Sequence, residues 1–158
     1  MAWRRRDLPR VEGLERGERV LAAASGPHGD IVATTDRLVM PGRALAWDEI
    51  ERATWDGDDD TLLVVEVATA SARSARHRLQ ITTPGRLVDV VRERVTASVV
   101  LTRFVPIDGR RGVRVTGRRT RGGDLVWSAV LDAGIDRADP GMRARIDAAV
   151  AAVRAEVE

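Results

Sequence analysis

The strongest constraint on the fold of this chain is a run of short apolar segments, separated by turn residues, that occupies residues 18–56. Apolar residues recur there with a period close to two, which is the repeat of a strand with one buried face. Residues 25–29 (SGPHG) and 41–42 (PG) interrupt the run with residue types that favour turns. Short strands joined by such turns favour an antiparallel meander over parallel βαβ units.

The pattern continues to about residue 97. Residues 61–67 (TLLVVEV) predict a strand that is apolar on both faces, so we expect its second face to be covered. Residues 77–82 predict a further strand. Thr83 and Pro84 then have the residue types of a helix N-cap and first helical position, which predicts a helix over residues 84–97 with one apolar stripe.

Three short motifs in this region carry a resemblance: GERVL at residues 17–21, VATTDRL at 32–38 and WDEI at 47–50. Together they resemble the bacterial pleckstrin-homology-like (PH-like) and GRAM-type domains. The resemblance implies a seven-stranded, strongly bent antiparallel sheet closed by one C-terminal helix, over about residues 17–97. Phosphoinositide-binding PH domains have basic residues around their first hairpin, whereas residues 25–30 here have none. We therefore do not expect phosphoinositide binding.

The remaining residues predict a second unit. Residues 98–105, 112–118 and 124–131 have the pattern of three strands, and Asp139-Pro140 opens a second helix. The predicted fold class is α+β: an N-terminal arm (1–15), a PH-like domain (16–97) and a βββα unit (98–158). A unit of about sixty residues is small for independent stability, so we expect it to pack on the PH-like domain and share a core or interface with it.

Composition excludes several kinds of chemistry. The 158 residues contain no cysteine, which excludes disulfides and thiolate metal sites. His28 and His77 have no metal-ligand spacing and are interpreted as ordinary surface residues. Residues 56–60 (DGDDD) lack the spacing of an EF-hand and predict a hairpin turn. Because no catalytic or nucleotide-binding motif is present, we expect neither an enzyme nor a bound cofactor.

Two further expectations concern location and the tryptophans. The first residues are charged but no apolar segment follows them, and no stretch approaches the ~20 apolar residues of a membrane span, so we expect a cytoplasmic protein. Trp47, Trp55 and Trp127 are expected to be bulky core residues. The alternative is a stacking platform formed by Trp47 and Trp55.

The charge pattern offers one candidate contact surface. The net charge is only +2, but residues 98–123 contain seven arginines against one acid, Asp108. These arginines are Arg103, Arg110, Arg111, Arg114, Arg118, Arg119 and Arg121. Strand alternation places Arg114 and Arg118 on one face with Thr116, and both arginines are predicted to face solvent. Such a set could bind phosphates, or it could be a solvated face in a chain whose basic side chains, histidine apart, are all arginine.

Two classes of function remain open. The first is a non-enzymatic interaction module of PH-like type that binds a protein or an anionic ligand, with an unidentified protein as the expected partner. The alternative is nucleic-acid binding through the arginine-rich residues 103–121. The order helix, three strands, helix after residue 84 has the topology of a double-stranded-RNA-binding domain, although residues 139–142 (DPGM) lack the basic cluster of that family.

Overall fold

A computed structural model describes residues 11–68 and 74–158 of the chain. The described residues form two compact units with a boundary between Ser98 and Val99. Three antiparallel sheets and two helices, with 45% of residues in strands and 21% in helices, confirm the α+β class. Most of the predicted N-terminal arm, and part of the linker between residues 68 and 76, lie outside the described residues.

The N-terminal unit contains seven strands that pair with their sequence neighbours in two sheets. They are β1 (Val20–Gly26), β2 (Gly29–Thr34), β3 (Arg37–Met40), β4 (Arg43–Ala46), β5 (Ile50–Asp56), β6 (Thr61–Glu66) and β7 (Arg76–Gln80). The first four strands form one sheet and the last three another, so the prediction of a single seven-stranded sheet is wrong.

A short turn lies at this division. Trp47–Glu49 is one turn of 3₁₀ helix between β4 and β5, and it includes Trp47, which the sequence pattern predicted as the last residue of a strand. The Glu49 carboxylate accepts a hydrogen bond from the backbone N–H of Ala46 at 3.0 Å, which stabilises the turn. The acidic residues 56–60 form the turn between β5 and β6, as predicted, with the Asp56 carboxylate accepting the backbone N–H of Asp58 at 3.0 Å.

One hydrophobic core joins both sheets to the first helix, α1 (Leu87–Ser98). Leu45 from β4, Leu62 from β6 and Leu87 from α1 are fully buried in it. Trp47 is 6% exposed and its Nε1 donates to the carbonyl oxygen of Thr34 at 3.1 Å, which confirms a buried structural role. Trp55 is half-buried against the same core.

The start of α1 differs from the prediction by three residues. Gly85 has a φ of +53°, which is outside the right-handed helical region. Residues 84–86 therefore form a turn in which the Pro84 carbonyl accepts the N–H of Leu87 at 3.0 Å. The apolar stripe is as predicted, with Leu87 and Val91 fully buried and Val95 partly buried against the core.

The two sheets of the N-terminal unit approach one another along both sides. On one side, Arg43 of β4 pairs with Glu66 of β6 at 2.6 Å. The N–H of Val67 donates to the carbonyl of Glu49 at 2.8 Å and extends the β5–β6 pairing by one position. On the other side, a Cβ placed on Gly26 of β1 would lie 3.0 Å from the carbonyl oxygen of Gln80 in β7. The two sheets thus contact one another on both sides of the unit.

The C-terminal unit contains a three-stranded antiparallel sheet and one helix. The strands are β8 (Val99–Asp108), β9 (Arg111–Arg119) and β10 (Leu125–Leu131), in the order β10-β9-β8, and the helix is α2 (Pro140–Arg154). Asp139 caps α2 as predicted, accepting the N–H of Gly141 at 3.1 Å. Residues 106–108, which the sequence pattern leaves between the strands predicted at 98–105 and 112–118, instead belong to β8, where an edge strand with irregular register tolerates Pro106.

A second hydrophobic cluster lies between α2 and one face of this sheet. Val113 and Val115 of β9 are fully buried, and Ala149 and Val153 of α2 pack against them. Trp127 is half-buried in the same cluster, in accord with its predicted core role. In β6, Val65 is buried as well as Leu62 and Val64, in accord with the predicted cover on both faces. A core or interface shared by the two units stays a prediction.

Among the described residues, neither helix has the length and apolar character needed to cross a membrane.

Candidate interaction surface

The sheet of the C-terminal unit has two faces of different character. The inner face packs against α2 through the second hydrophobic cluster. The opposite face is called here the outer face. Its side chains are those of Val100, Thr102 and Phe104 from β8, Arg114, Thr116 and Arg118 from β9, and Val126, Ser128 and Val130 from β10.

Exposed apolar side chains concentrate on the outer face. Phe104 and Val130 are each 45% exposed, Val100 is 42% and Val126 is 41%. Elsewhere in the described residues, only Leu14 and Val157 are large apolar residues with comparable exposure. Scattered exposed apolar residues are ordinary, but a set gathered on one face marks a candidate interaction surface.

Strand register places one arginine at the centre of an apolar row. Arg114 lies directly opposite Phe104 on β8 and opposite Val130 on β10. All three side chains are exposed, and Arg114 has no hydrogen bond or ion pair within the described residues. The next row contains only hydroxyl side chains, those of Thr102, Thr116 and Ser128. The outer face therefore combines apolar contact area with a cation and hydrogen-bonding groups.

The prediction that Arg118 faces solvent is wrong. Arg118 is 3% exposed, and its Nη1 donates to the Ser128 hydroxyl at 2.7 Å. Alternation correctly places Arg118 on the same face as Arg114, because side chains two residues apart share a face. Strand alternation gives no information on how much of that face is covered. Thr116, which lies between Arg114 and Arg118, is also buried.

The other arginines of the candidate set are dispersed. Arg103 lies on the inner-face side of β8, where its Nε pairs with Glu156 at 3.1 Å. Arg110 and Arg111 are exposed at the β8–β9 turn. Arg119, whose Nη1 donates to the Gly123 carbonyl at 3.0 Å, and Arg121 lie at the β9–β10 turn. These two turns are separated by the length of β9, roughly 26 Å at ~3.3 Å per residue.

Several residues of the outer face were missed by the sequence analysis. Phe104 is ten residues from Arg114 in the sequence, and only the strand register brings them side by side. Val126 and Val130 had a detectable signal, because residues 125–131 (LVWSAVL) are apolar on both faces. The same pattern in residues 61–67 predicts a strand with a covered second face, whereas in residues 125–131 it marks a strand whose Val126 and Val130 are exposed.

The motifs that resemble PH-like domains have a structural role in this chain. The side chain of Glu18 is 1% exposed and pairs with Arg37 at 3.1 Å. It also accepts the Thr34 hydroxyl at 2.9 Å. Burial raises the pKa of Glu18, but the hydrogen bonds from Arg37 and Thr34 outweigh it, so the pKa lies below its ordinary value. This network ties the start of β1 to the turn between β2 and β3.

A second charged cluster connects the two sheets of the N-terminal unit. Arg43 donates to both oxygens of the Glu66 carboxylate, at 2.6 Å and 3.3 Å, and the oxygen at 3.3 Å also lies 2.6 Å from Nε2 of His77. The hydrogen bond from Arg43 is the main cause of a lowered pKa at Glu66, which burial partly opposes. His77 is thus a paired, half-buried residue. Within the described residues, no group of three His, Cys, Asp or Glu side chains could hold a metal ion.

Comparison with known proteins adds no relative to this description. No protein-family model, curated protein or solved structure matches the chain. The assignment of a function therefore depends on the chemistry and geometry of the residues described above, and in particular on the outer face of the C-terminal unit.

Proposed function

We propose that this chain is a non-enzymatic interaction module, in which a PH-like N-terminal unit serves as scaffold and the C-terminal unit binds a protein or anionic ligand. The order of seven strands followed by α1 supports the scaffold assignment. So does the position of Glu18, Thr34 and Arg37, the residues of the resemblance, in one buried network.

The observation that carries the proposal is the row formed by Phe104, Arg114 and Val130 on the outer face. An exposed aromatic ring beside an unpaired guanidinium is a combination enriched in protein interfaces, because the ring supplies contact area and the arginine supplies charge-assisted hydrogen bonds. Arg110 and Arg111 lie at the same end of β9 and increase the positive charge there. An acidic protein segment that also carries apolar residues has complementary chemistry.

Fluorescence anisotropy with a labelled peptide of alternating Glu and Leu residues tests this proposal. Arg114→Ser and Phe104→Ser should each weaken binding by roughly tenfold, which corresponds to ~1.4 kcal/mol. Arg119→Ser is the matched control, since Arg119 is an exposed arginine on the same strand but at its other end. An affinity that falls equally in all three variants, or no binding by the wild type, would contradict the proposal.

Nucleic-acid binding is the second candidate. The position of Phe104 beside Arg114 favours it, since single-stranded bases stack on aromatic rings flanked by cations. The analogy with double-stranded-RNA-binding domains is weaker. The first helix of such a domain would be α1, but α1 buries Leu87, Val90 and Val91 in the N-terminal core and belongs to a different unit from the three strands. The dispersal of the arginines over two ends of β9 also argues against a continuous track for a duplex.

Salt dependence separates the two candidates. For a single strand, log affinity should fall with log salt at a slope of about −0.7 per phosphate contact, and Arg114→Ser should reduce the magnitude of that slope by about 0.7. We expect only weak binding to single strands, duplexes and anionic vesicles, with no effect of Arg114→Ser. Submicromolar binding to a nucleic acid at physiological salt, abolished by this substitution, would establish the second candidate instead.

A further inference from the structure

The two edges of the C-terminal sheet differ in how they are protected. Edge strand β8 contains Pro106 and two register irregularities, which are common devices against pairing with another chain. Helix α2 lies against β8 and β9 and is tied to the β8 side by two arginines. Arg103 pairs with Glu156, and Arg145 Nη1 donates to the Ile107 carbonyl at 3.3 Å.

Edge strand β10 has none of these protections. Leu125–Leu131 pairs with β9 in continuous register over all seven residues, without a bulge. The segment contains no charged residue and no proline, and its valine and tryptophan residues favour strand conformation. An uncharged, regular edge strand of this length is a ready template for pairing with another strand.

The hydrogen bonds at the ends of β10 show which of its backbone groups are free. The N–H of Thr120 donates to the carbonyl of Asp124 at 2.8 Å, and that of Asp132 to the carbonyl of Gly112 at 3.0 Å. In an antiparallel ladder, hydrogen-bonded residue pairs alternate with non-bonded pairs. Counting inward from the two end bonds, the residues of β10 whose backbone groups bond to β9 are 126, 128 and 130. The N–H and C=O groups of Leu125, Trp127, Ala129 and Leu131 therefore point to the open edge, and no backbone partner for them occurs among the described residues.

We propose that β10 pairs antiparallel with β10 of a second copy of this chain, centred on Ser128, to form a six-stranded sheet across a two-fold axis. This register places Trp127 opposite Ala129 of the second copy, and Leu125 opposite Leu131, as hydrogen-bonded pairs. The free groups of both strands are thereby satisfied. Val126 and Val130, equally distant from Ser128, face one another as non-bonded pairs, whose side chains are closer together.

The edge of β10 is complementary to itself, and this is the reason to expect a second copy of the chain as its partner. The free backbone groups and the exposed valines are both symmetric about Ser128, as a two-fold interface requires. The protected β8 edge would stop further addition of copies, so the pairing closes as a dimer. This proposal concerns the edge of β10 and holds whether or not the outer face binds the ligand proposed above.

The interface is expected to be weak. A seven-residue strand pair buries less than the ~1,200 Å² of a stable interface. The same register also places Asp124 opposite Asp132 of the second copy at each end, and like charges in this position are unfavourable. The Asp132 carboxylate already accepts the N–H of Gly112 at 2.9 Å. A dissociation constant in the range of roughly 10 µM to 1 mM is expected.

Sedimentation velocity over a concentration series tests the pairing and its register. Val126→Lys and Val130→Glu should each weaken the dimer by roughly tenfold, since each change occurs twice about the axis. The double variant should recover much of the affinity, because the new lysine and glutamate would lie opposite one another across the interface. Val100→Lys is the matched control: it changes a valine of equal exposure on the same face, at the β8 edge.

Ala129→Pro gives a second, independent readout. It removes an N–H that points to the open edge and leaves the bonds to β9 intact, so it should abolish the dimer while circular dichroism shows retained strand content. A wild type that is monomeric up to about 1 mM, or a dimer weakened as much by Val100→Lys as by Val126→Lys, would overturn the proposal. Failure of the double variant to recover would overturn the register centred on Ser128.

Discussion

The two units of this chain manage their strand edges in opposite ways. In the N-terminal unit, the two sheets contact one another through the Arg43–Glu66 ion pair on one side and through the close approach of Gly26 to Gln80 on the other. In the C-terminal unit, β10 leaves a row of backbone groups without partners among the described residues. The N-terminal unit is therefore built for internal closure, whereas the C-terminal unit offers both an edge and a face to a partner.

The charged residues follow the same division. In the N-terminal unit, the buried carboxylate of Glu18 forms a hydrogen-bonded pair with Arg37, and the two motifs that contain these residues maintain the fold. In the C-terminal unit, Arg114 is exposed between two apolar side chains. A motif that resembles a known family can thus mark a stabilising network, while the surface available for binding lies in a part of the chain without such a motif.

The largest expected effect concerns the core of the N-terminal unit. Trp47→Ala should lower the free energy of unfolding by ~3–5 kcal/mol, because it removes a buried ring and leaves a cavity. Trp47→Phe is the control, since it keeps one aromatic ring and should cost less than Trp47→Ala, although it loses the hydrogen bond to Thr34 and part of the buried ring volume. Urea denaturation measures both. Unchanged urea midpoints of unfolding would show that Trp47 does not stabilise this core. They would favour the alternative in which Trp47 and Trp55 form a stacking platform.

The second prediction concerns the buried pair. Glu18→Gln should lower the free energy of unfolding by about 2–3 kcal/mol at neutral pH, less than for a fully buried pair because Arg37 is 29% exposed. The pKa of Glu18 is lower in the folded state than the ~4.3 of an unfolded glutamate. Its stabilisation is therefore present above that value and is lost as the pH falls through the folded-state pKa.

Denaturation of the wild type and Glu18→Gln between pH 7 and about pH 3 checks this sign. The difference between the two proteins should shrink toward acid pH. Glu12→Gln is the matched control, since Glu12 is exposed in the same N-terminal region and its removal should change stability by less than about 0.5 kcal/mol. A difference that stays constant with pH would mean that the charge of Glu18 contributes nothing.

The smallest effect separates two arginines of the outer face. Arg118→Ala should cost about 1–3 kcal/mol of stability, because it removes a buried hydrogen bond to Ser128. Arg114→Ala should change stability by less than about 0.5 kcal/mol, because its side chain is exposed. Thermal melts of both variants compare them directly. Equal effects would contradict the division of this face into a buried and an accessible part.

Local signals in the sequence predicted much of the fold but were overridden at particular residues. Asp139-Pro140 and Thr83-Pro84 present the same helix-start signal, and only the first marks the true start. Gly85, with its positive φ, delays the second helix to Leu87. Pro106 predicted a loop, yet it lies in an edge strand where no ladder hydrogen bond is needed from it.

The candidate site was predictable only in part because it depends on register and burial. Alternation correctly placed Arg114 and Arg118 on one face, but it could not show that Arg118 is buried. The neighbour of Arg114 is Phe104, and that contact depends on the alignment of β8 with β9. Neither the bulges in β8 nor the resulting register has a signature in a single sequence.

The placement of each helix after its sheet has a consequence during synthesis. All strand pairs join sequence neighbours, so each hairpin can form as soon as its two strands have left the ribosome. The core of the N-terminal unit, however, is completed only when α1 supplies Leu87, Val90 and Val91. In the same way, Val113 and Val115 stay uncovered until Ala149 and Val153 of α2 emerge. During that interval the nascent chain displays an apolar sheet together with the unprotected β10 edge, and this is the stage at which a chaperone would have most to bind.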